Sequence, residues 1–378
     1  MNLAILGYGT VGKGVVELVR PRKDLCVRAV LVRREHPELG DLAVTDIAQI
    51  LNDPEIDTVI EVMGGLHPGL EYVTAAIRAG KNVVTANKFL ICRYFNVLTS
   101  LAISHGVALR YTAAAGGGIP WLVNLERARR ADRIEEIHGI LNGTTNYILD
   151  TMQRTELDFS ICLQQAQALG YAEADPTDDL EGRDMQRKLI LSAKLAFDSL
   201  LAESQVPIAG ISAICREDLA NFSQGGLSCR MMAHAMRIQD GVCAYVEPTL
   251  VKDTAMEASV PSNFNFVTLV GQNVGRLSFF GQGAGRYPTA MNVVQDCLDI
   301  LTDVAPLPWA AVDCPVYDTA HRYYVRTAQM DEFLHCHIAY SLGSGLITEP
   351  VSMQEMHQYL IKKRETEPSC FAAGLWEE

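Results

Sequence analysis

The ten cysteines of this 378-residue chain include no C-x-x-C pair, so the usual dithiol redox motif and the paired-cysteine zinc frameworks are excluded. In a chain of this size scattered cysteines are expected to be reduced and mostly buried. His335-Cys336-His337 with His357 is the one cluster of metal-ligating side chains, and its spacing is not that of a zinc site. No apolar run is long enough to cross a bilayer. Met1–Gly7 lacks the basic and apolar regions of a secretory leader, which makes the cytoplasm the expected location. Positive charge is scarce: 32 Lys and Arg stand against 45 Asp and Glu, a formal charge of −13. Nucleic acids and anionic membranes are held by basic faces, so neither is an expected partner. A small anionic cofactor is not excluded, because local dipoles can hold it whatever the net charge.

What is present is an ordinary globular balance, with 48% apolar and 20% charged residues. The length implies two or three domains. Strand-like runs at Leu3–Leu6, Val27–Val32, Thr58–Val62, Asn82–Ala86 and Val107–Thr112, with a weak one near Val44, alternate with helical patterns. That alternation predicts an α/β domain, a Rossmann-type parallel sheet over 1–130. From 131 to 290 the pattern becomes α+β, with strands expected at Ile134–Leu141, Val206–Ile211, Ala244–Leu250 and Phe264–Val270. This stretch is expected to be the substrate-binding and dimerisation domain. Residues 291–315 complete a helix that returns to the nucleotide domain, and 316–378 form a short tail. The tail reads as strand at His321–Thr327 and Leu346–Ser352 and as helix at Asp331–Tyr340. It is too small for a core of its own and is expected to lean on the rest of the chain or on a second copy.

Gly7, Gly9 and Gly12 form G-x-G-x-x-G between the first strand and the first helix, the context a dinucleotide-binding loop requires. The glycines permit the turn, the approach of a pyrophosphate and the packing of helix on strand. The helix N-terminus then offers its N–H groups to the phosphates. An acid at the end of the second strand would hold a ribose 2′-hydroxyl; here Arg33-Arg34 follow Val32, which suits a 2′-phosphate and favours NADP over NAD.

The segment Gly170–Lys188 crowds acids into a turn-rich loop and sets Asp184 four residues before Lys188, on one helix face. A carboxylate pair with a positioned lysine can hold an ammonium-bearing substrate and give a proton to its carbonyl. Taken alone, the same residues also suit a solvated loop with a surface ion pair. Asp178 and Asp179 are read as caps of the helix that follows.

Four stretches together resemble the homoserine dehydrogenase family, over roughly residues 1–315. They are Ala166–Lys188 with Asp175-Pro176, Asp179-Leu180, Gly182, Asp184 and Lys188; Thr85-Ala86-Asn87-Lys88; Gly139–Leu149; and Gly281–Ala290. The resemblance implies NAD(P)-dependent interconversion of L-aspartate 4-semialdehyde and L-homoserine, a step toward threonine and methionine, by a homodimer acting on a small amino-acid substrate. It implies that Lys188 is the proton donor, that Glu173 and Asp184 bind substrate, and that Lys88 lies near cofactor and substrate. It also implies cofactor contacts at Thr10, Val11, Gly170 and Gly283.

Hydride addition to an aldehyde leaves charge on oxygen, and Lys188 or Lys88 can each answer it. Asp184 can bind the substrate ammonium or orient Lys188 from one turn away. Two positions depart from the family pattern. Thr112 stands where the family usually has a glutamate that helps hold a monovalent cation with the carbonyls of Ala115, Gly117 and Ile119, which leaves that site without its charge. The tail, which begins like an ACT domain at Tyr323-Tyr324-Val325-Arg326, lacks the expected turn and reads as a truncated or divergent ACT-like remnant. These departures keep open a second reading, a catalytically weak NADP-binding paralogue with a sensing or structural role. A third, an aldehyde dehydrogenase, needs a nucleophilic cysteine, and Cys92 is the nearest to Lys88 in sequence.

Overall fold

Leu3, Ala4, Ile5 and Leu6 are all fully buried, as expected of a strand in a parallel sheet covered on both faces. In the computed structural model, which describes residues 1–304 and 312–376, they form β1 (Asn2–Leu6). The chain divides into two compact units, one of Met1–Arg127 with the segment that begins at Gln282, the other of Ala128–Gly281 with the tail that begins at Val312.

In the first unit β1 is joined by β2 (Cys26–Leu31), β3 (Ala43–Val44), β4 (Thr58–Glu61), β5 (Asn82–Thr85) and β6 (Leu109–Arg110). All pair in parallel, in the order β3-β2-β1-β4-β5-β6. This is the doubly wound order, which leaves a crevice where β1 and β4 diverge at their C-terminal ends. The helix Arg286–Leu301 completes the core by setting Ala290, Val293, Val294 and Cys297 among Val15, Val16 and Val19 of the helix Thr10–Val19. Its first turn is tied to the same helix by an Arg286–Glu17 ion pair and by Tyr287, whose hydroxyl donates to Glu17 Oε2 at 2.9 Å. Part of the return segment expected over 291–315, residues 305–311, lies outside the described residues.

The second unit holds one nine-stranded sheet. Its strands are β7 (Ile134–Ile140), β8 (Leu227–Ile238), β9 (Gly241–Lys252), β10 (Phe264–Gly271), β11 (Gly275–Gln282), β13 (Tyr323–Arg326), β14 (Ile338–Leu342), β15 (Gly345–Thr348) and β17 (Phe371–Leu375), in the order β11-β10-β7-β8-β9-β17-β13-β15-β14. A separate pair, β12 (Ala320–His321) and β16 (Val351–Ser352), is antiparallel. The hairpin of β8 and β9, twelve residues in each strand, is the centre of the sheet. Val206–Ile211, expected as a strand, makes only the isolated bridge Ile208–Val246. In the tail the helix stops at His337, and Ile338–Leu342 turns into β14.

The tail, expected as a truncated or divergent ACT-like remnant, runs from Tyr323 to Leu375 as β13, the helix Glu332–His337, β14, β15, β16, the helix Met353–Thr366 and β17. Its last strand, β17, runs parallel to β9 through Gly374–Thr249 and Leu375–Leu250, so the tail continues the middle sheet. A ladder of rings covers the join. His234 stacks on Tyr245 and Tyr245 on His321, while Trp376 meets His138 and His234 edge-on. The buried Glu247 on β9 takes His321 Nε2 at 2.8 Å, His357 Nε2 at 2.7 Å and the Tyr323 hydroxyl at 3.2 Å, all three from the tail.

Burial, reinforced by the neighbouring His138, pushes His234 from 6.5 down to about 4; Glu247 and Glu136 oppose the shift and His321 adds to it. Between these values the unfolded chain takes up a proton that the folded one refuses, so this residue's contribution is whole above pH 6.5 and falls as the pH drops toward 4. The loss is about 3 kcal/mol, from one pKa unit being worth about 1.4 kcal/mol. His234→Phe keeps the stacked ring without the titration. Urea unfolding at pH 7 and pH 4 should therefore show a smaller acid loss in the variant than in the wild type, and equal losses would contradict this account.

Candidate active site

In the first unit β1 runs into Gly7, whose N–H reaches the Leu31 carbonyl at 3.1 Å. A Cβ on Gly12 would sit 2.1 Å from the Gly7 carbonyl oxygen, so no other residue fits there. Gly9 and Thr10 are exposed and Val11 half-buried at the start of the helix Thr10–Val19, which has no side-chain cap. Its first N–H groups are thus turned to a ligand or to solvent. Arg33 and Arg34 are exposed just past β2.

Lys88 opens the helix Lys88–His105 after β5. Asn87 caps that helix through Leu90 N–H at 3.1 Å and donates to the Gly65 carbonyl at 2.6 Å. Glu61, at the end of β4, accepts from Thr85 Oγ1 at 2.6 Å and Met63 N–H at 2.9 Å. These bonds fix the C-terminal ends of β4 and β5, where a parallel sheet binds its ligands.

The glycine loop 116–120 is bound to the loop that leads into the helix Arg286–Leu301. Gly118 N–H donates to the Gln282 carbonyl at 2.9 Å. A Cβ on Gly117, where φ is +58°, would lie 2.2 Å from the carbonyl of the buried Gly283. The buried Asn292 sends Nδ2 to the carbonyls of Gly117 at 2.5 Å and Ile119 at 3.1 Å. Two of the three carbonyls expected to hold a cation therefore already accept from a nitrogen donor, whose hydrogens point where a cation would sit. Thr112 adds no charge; its N–H donates to Asp296 Oδ2 at 2.9 Å. These residues do not fit a bound cation.

The second unit carries the acid–lysine cluster. Lys188 lies on the helix Arg183–Phe197 and is only 8% exposed. Its Nζ donates to Asp184 Oδ2 at 2.7 Å and to the Leu141 carbonyl, just past β7, at 2.7 Å. The surface-ion-pair alternative is thereby excluded. Asn142 caps the helix Gly143–Thr155 by accepting from Thr145 N–H at 2.9 Å. Its Nδ2 bridges Asp179 Oδ1 at 2.7 Å and Asp184 Oδ2 at 2.9 Å. Thr144 Oγ1 adds a 3.2 Å bond to Asp179 Oδ2.

Burial, and then the neighbouring Asp184 charge, push the Asp179 carboxyl up, against Asn142 and Lys188. Asp179 is thus a member of the cluster and not a helix cap. Asp178 is not a cap either, since it accepts from Arg187 at 2.6 Å. Glu173 and Gly170 lie exposed on the loop before it. Sequence reasoning passed over Asn142 and Asn292. Asn142 was legible only as the N-cap of a helix that follows a strand.

Two family models match the chain, "Homoserine dehydrogenase, NAD binding domain" over residues 7–112 and "Homoserine dehydrogenase" over 120–298. A homoserine dehydrogenase of Bacillus subtilis is 36% identical over 318 residues, 80% of this chain and 73% of the relative. The chain belongs to the homoserine dehydrogenase family. A second homoserine dehydrogenase, from Synechocystis, is 34% identical over 95% of this chain and 89% of its own length, so its match extends into the tail. The crystal structure of a homoserine dehydrogenase from Thiobacillus denitrificans matches with a TM-score of 0.88 at 30% identity, covering all of this chain and 98% of that one. As a homoserine dehydrogenase, the chain is an NAD(P)-dependent oxidoreductase that interconverts L-aspartate 4-semialdehyde and L-homoserine. The NAD-binding model begins at Gly7 and so spans the glycine loop, and the buried Lys188–Asp184 pair lies on the helix Arg183–Phe197, inside the stretch matched by the second model.

Proposed function

We propose that Lys188 gives the proton that turns the semialdehyde oxygen into the homoserine hydroxyl. The observation that carries this is the buried Nζ held by Asp184 and the Leu141 carbonyl. Two of its three N–H bonds are directed by those acceptors, which leaves one for a substrate oxygen. A bound nicotinamide supplies the hydride to the aldehyde carbon. Asp184 orients Lys188, while Asp179 and Glu173 accept from the substrate's ammonium. Asn142 keeps Asp179 and Asp184 apart by donating to both. Lys88 and the N–H groups at Gly9, Thr10 and Val11 lie with the cofactor, as do Gly170 and Gly283. The test is loss of NADPH absorbance on adding L-aspartate 4-semialdehyde, and no turnover by the wild type would refute the proposal.

The proposed coenzyme is NADP(H), read by Arg33. Loss of a charge-assisted hydrogen bond costs about 1.5–3 kcal/mol, so Arg33→Ala should raise KM for NADPH by roughly tenfold or more and leave KM for NADH nearly unchanged. Equal effects on both coenzymes would remove Arg33 from the 2′-phosphate.

We also propose a cytoplasmic homodimer formed through the second unit. Support comes from β11, an edge strand of the sheet with Leu277 and Phe280 exposed, the kind of edge that invites pairing. Light scattering that finds only monomer would count against the dimer.

A further inference from the structure

Asn292 and Asp296 stand one turn apart on the helix Arg286–Leu301, so both face the loop that begins at Thr112. Asp296 accepts the N–H at the start of that loop. Four residues earlier, Asn292 donates to two carbonyls at its far end. A side-chain amide nitrogen carries two hydrogens, enough for one on Gly117 and one on Ile119. The orientation of the amide is fixed by its partners, because turning Oδ1 toward two carbonyl oxygens would set three acceptors together in a buried site.

A hard cation would gather these same oxygens around itself. With the protons of Nδ2 already pointing at them, it would meet a positive dipole edge. Thr112 itself offers no anionic oxygen to offset the entry of a charge into a buried place, and the carboxyl that meets it, the buried Asp296, is taken up by the Thr112 N–H and raised by burial to about 7. The missing carboxylate and the inserted amide thus agree: a site with no cation needs no counter-charge, and a site with an internal donor needs no cation.

We infer that the Asn292 side-chain amide does the work of a bound alkali cation in this chain, holding the Gly116–Ile119 loop against Gly283, so that the dehydrogenase operates independently of Na⁺ and K⁺. Asn292 is a positioning residue, acting through Gly117 and Ile119 on the loop that meets Gly283. The inference rests on the dehydrogenase reading only where turnover is measured; its stability arm stands without it.

The experiment compares the full-length wild type with the double variant Thr112→Glu/Asn292→Ala in NaCl, KCl and choline chloride at one ionic strength. Wild-type turnover should agree within about twofold among the salts, and its thermal midpoint should not shift between them. In choline the double variant should lose about ten- to a hundredfold in kcat/KM, the scale expected when a loop near the reacting centre is misplaced. Na⁺ or K⁺ should restore much of that loss and raise the variant's midpoint by a few degrees, as any ligand of the native state alone does. The single variant Asn292→Ala should lose activity in every salt, because it has neither the amide nor the carboxylate.

A wild type that loses more than about tenfold without Na⁺ and K⁺ would overturn the inference, whatever the variants do, since a loop held within the protein pays no such penalty. A wild-type midpoint raised by Na⁺ or K⁺ over choline would do the same. A double variant indifferent to the cation in both measurements would overturn it too. A wild type that turns over in no salt would instead strike at the dehydrogenase reading, and the midpoints would still decide the role of Asn292.

Discussion

Lys188→Ala is expected to lower kcat for semialdehyde reduction by about 10²–10⁴-fold, the range for losing a positioned general acid, while the Kd of NADPH moves by less than about twofold. The expectation follows from the burial of the ammonium. Leu141 and Asp184 direct Nζ from two sides, and little solvent is present to stand in for it. The loss should fall on kcat more than on KM, because charge on the substrate oxygen develops only as hydride arrives. Lys188→Arg keeps the charge but moves it, and should recover little of the rate. Removing the lysine also strands Asp184 beside Asp179, so a lower melting point is expected as well. NADPH titration of the folded variant separates that effect from the chemical one. A variant with normal turnover would show that the proton comes from elsewhere.

The second large effect concerns stability. Glu247→Ala should destabilise the second unit by about 3–5 kcal/mol, the scale for breaking a buried, hydrogen-bonded charge pair. Three tail side chains, His321, Tyr323 and His357, close on this one carboxylate of the middle sheet. Burial alone would push the Glu247 carboxyl up. His321 first, then His357, reverse this and hold it well below the usual carboxylate range. A depressed carboxyl contributes its stability in full above its ordinary value of 4.5 and loses it only as the pH falls below that toward the depressed one. The gap between wild type and Glu247→Ala should therefore shrink as the pH falls below about 4.5. Hydrogen exchange should show the tail strands β13 and β17 opening first in the variant. Unchanged protection there would mean that the ring ladder and apolar packing hold the tail without the carboxylate.

Much of the first unit could be read in advance because its signals are local. A glycine triplet sits between strand and helix, and each strand is a short apolar run with a helix after it. The second unit hid more. β8 was missed because Cys229-Arg230-Met231-Met232-Ala233-His234-Ala235-Met236 is buried along both faces except at its end, so it lacks the period-two alternation that marks a strand, and Met and Ala are weak strand formers. The join between β17 and β9 is a parallel pairing of segments far apart in sequence, which leaves no local trace.

The cluster around Lys188 was half legible. The four-residue spacing from Asp184 marks a helix face, whereas the bridge through Asn142 depends on tertiary packing and has no spacing to betray it. The loss of a carboxylate at Thr112 was visible in the sequence. Its counterpart at Asn292 could be recognised only once the helix was laid against the loop.

The most direct test of the central claim, that the buried Lys188 ammonium supplies the proton, is a single-turnover measurement. Enzyme with NADPH already bound is mixed with L-aspartate 4-semialdehyde, and cofactor oxidation is followed through one catalytic event. The account predicts that Lys188→Ala binds NADPH as the wild type does and oxidises it at least about a hundredfold more slowly. Equal single-turnover rates in the two proteins would contradict it.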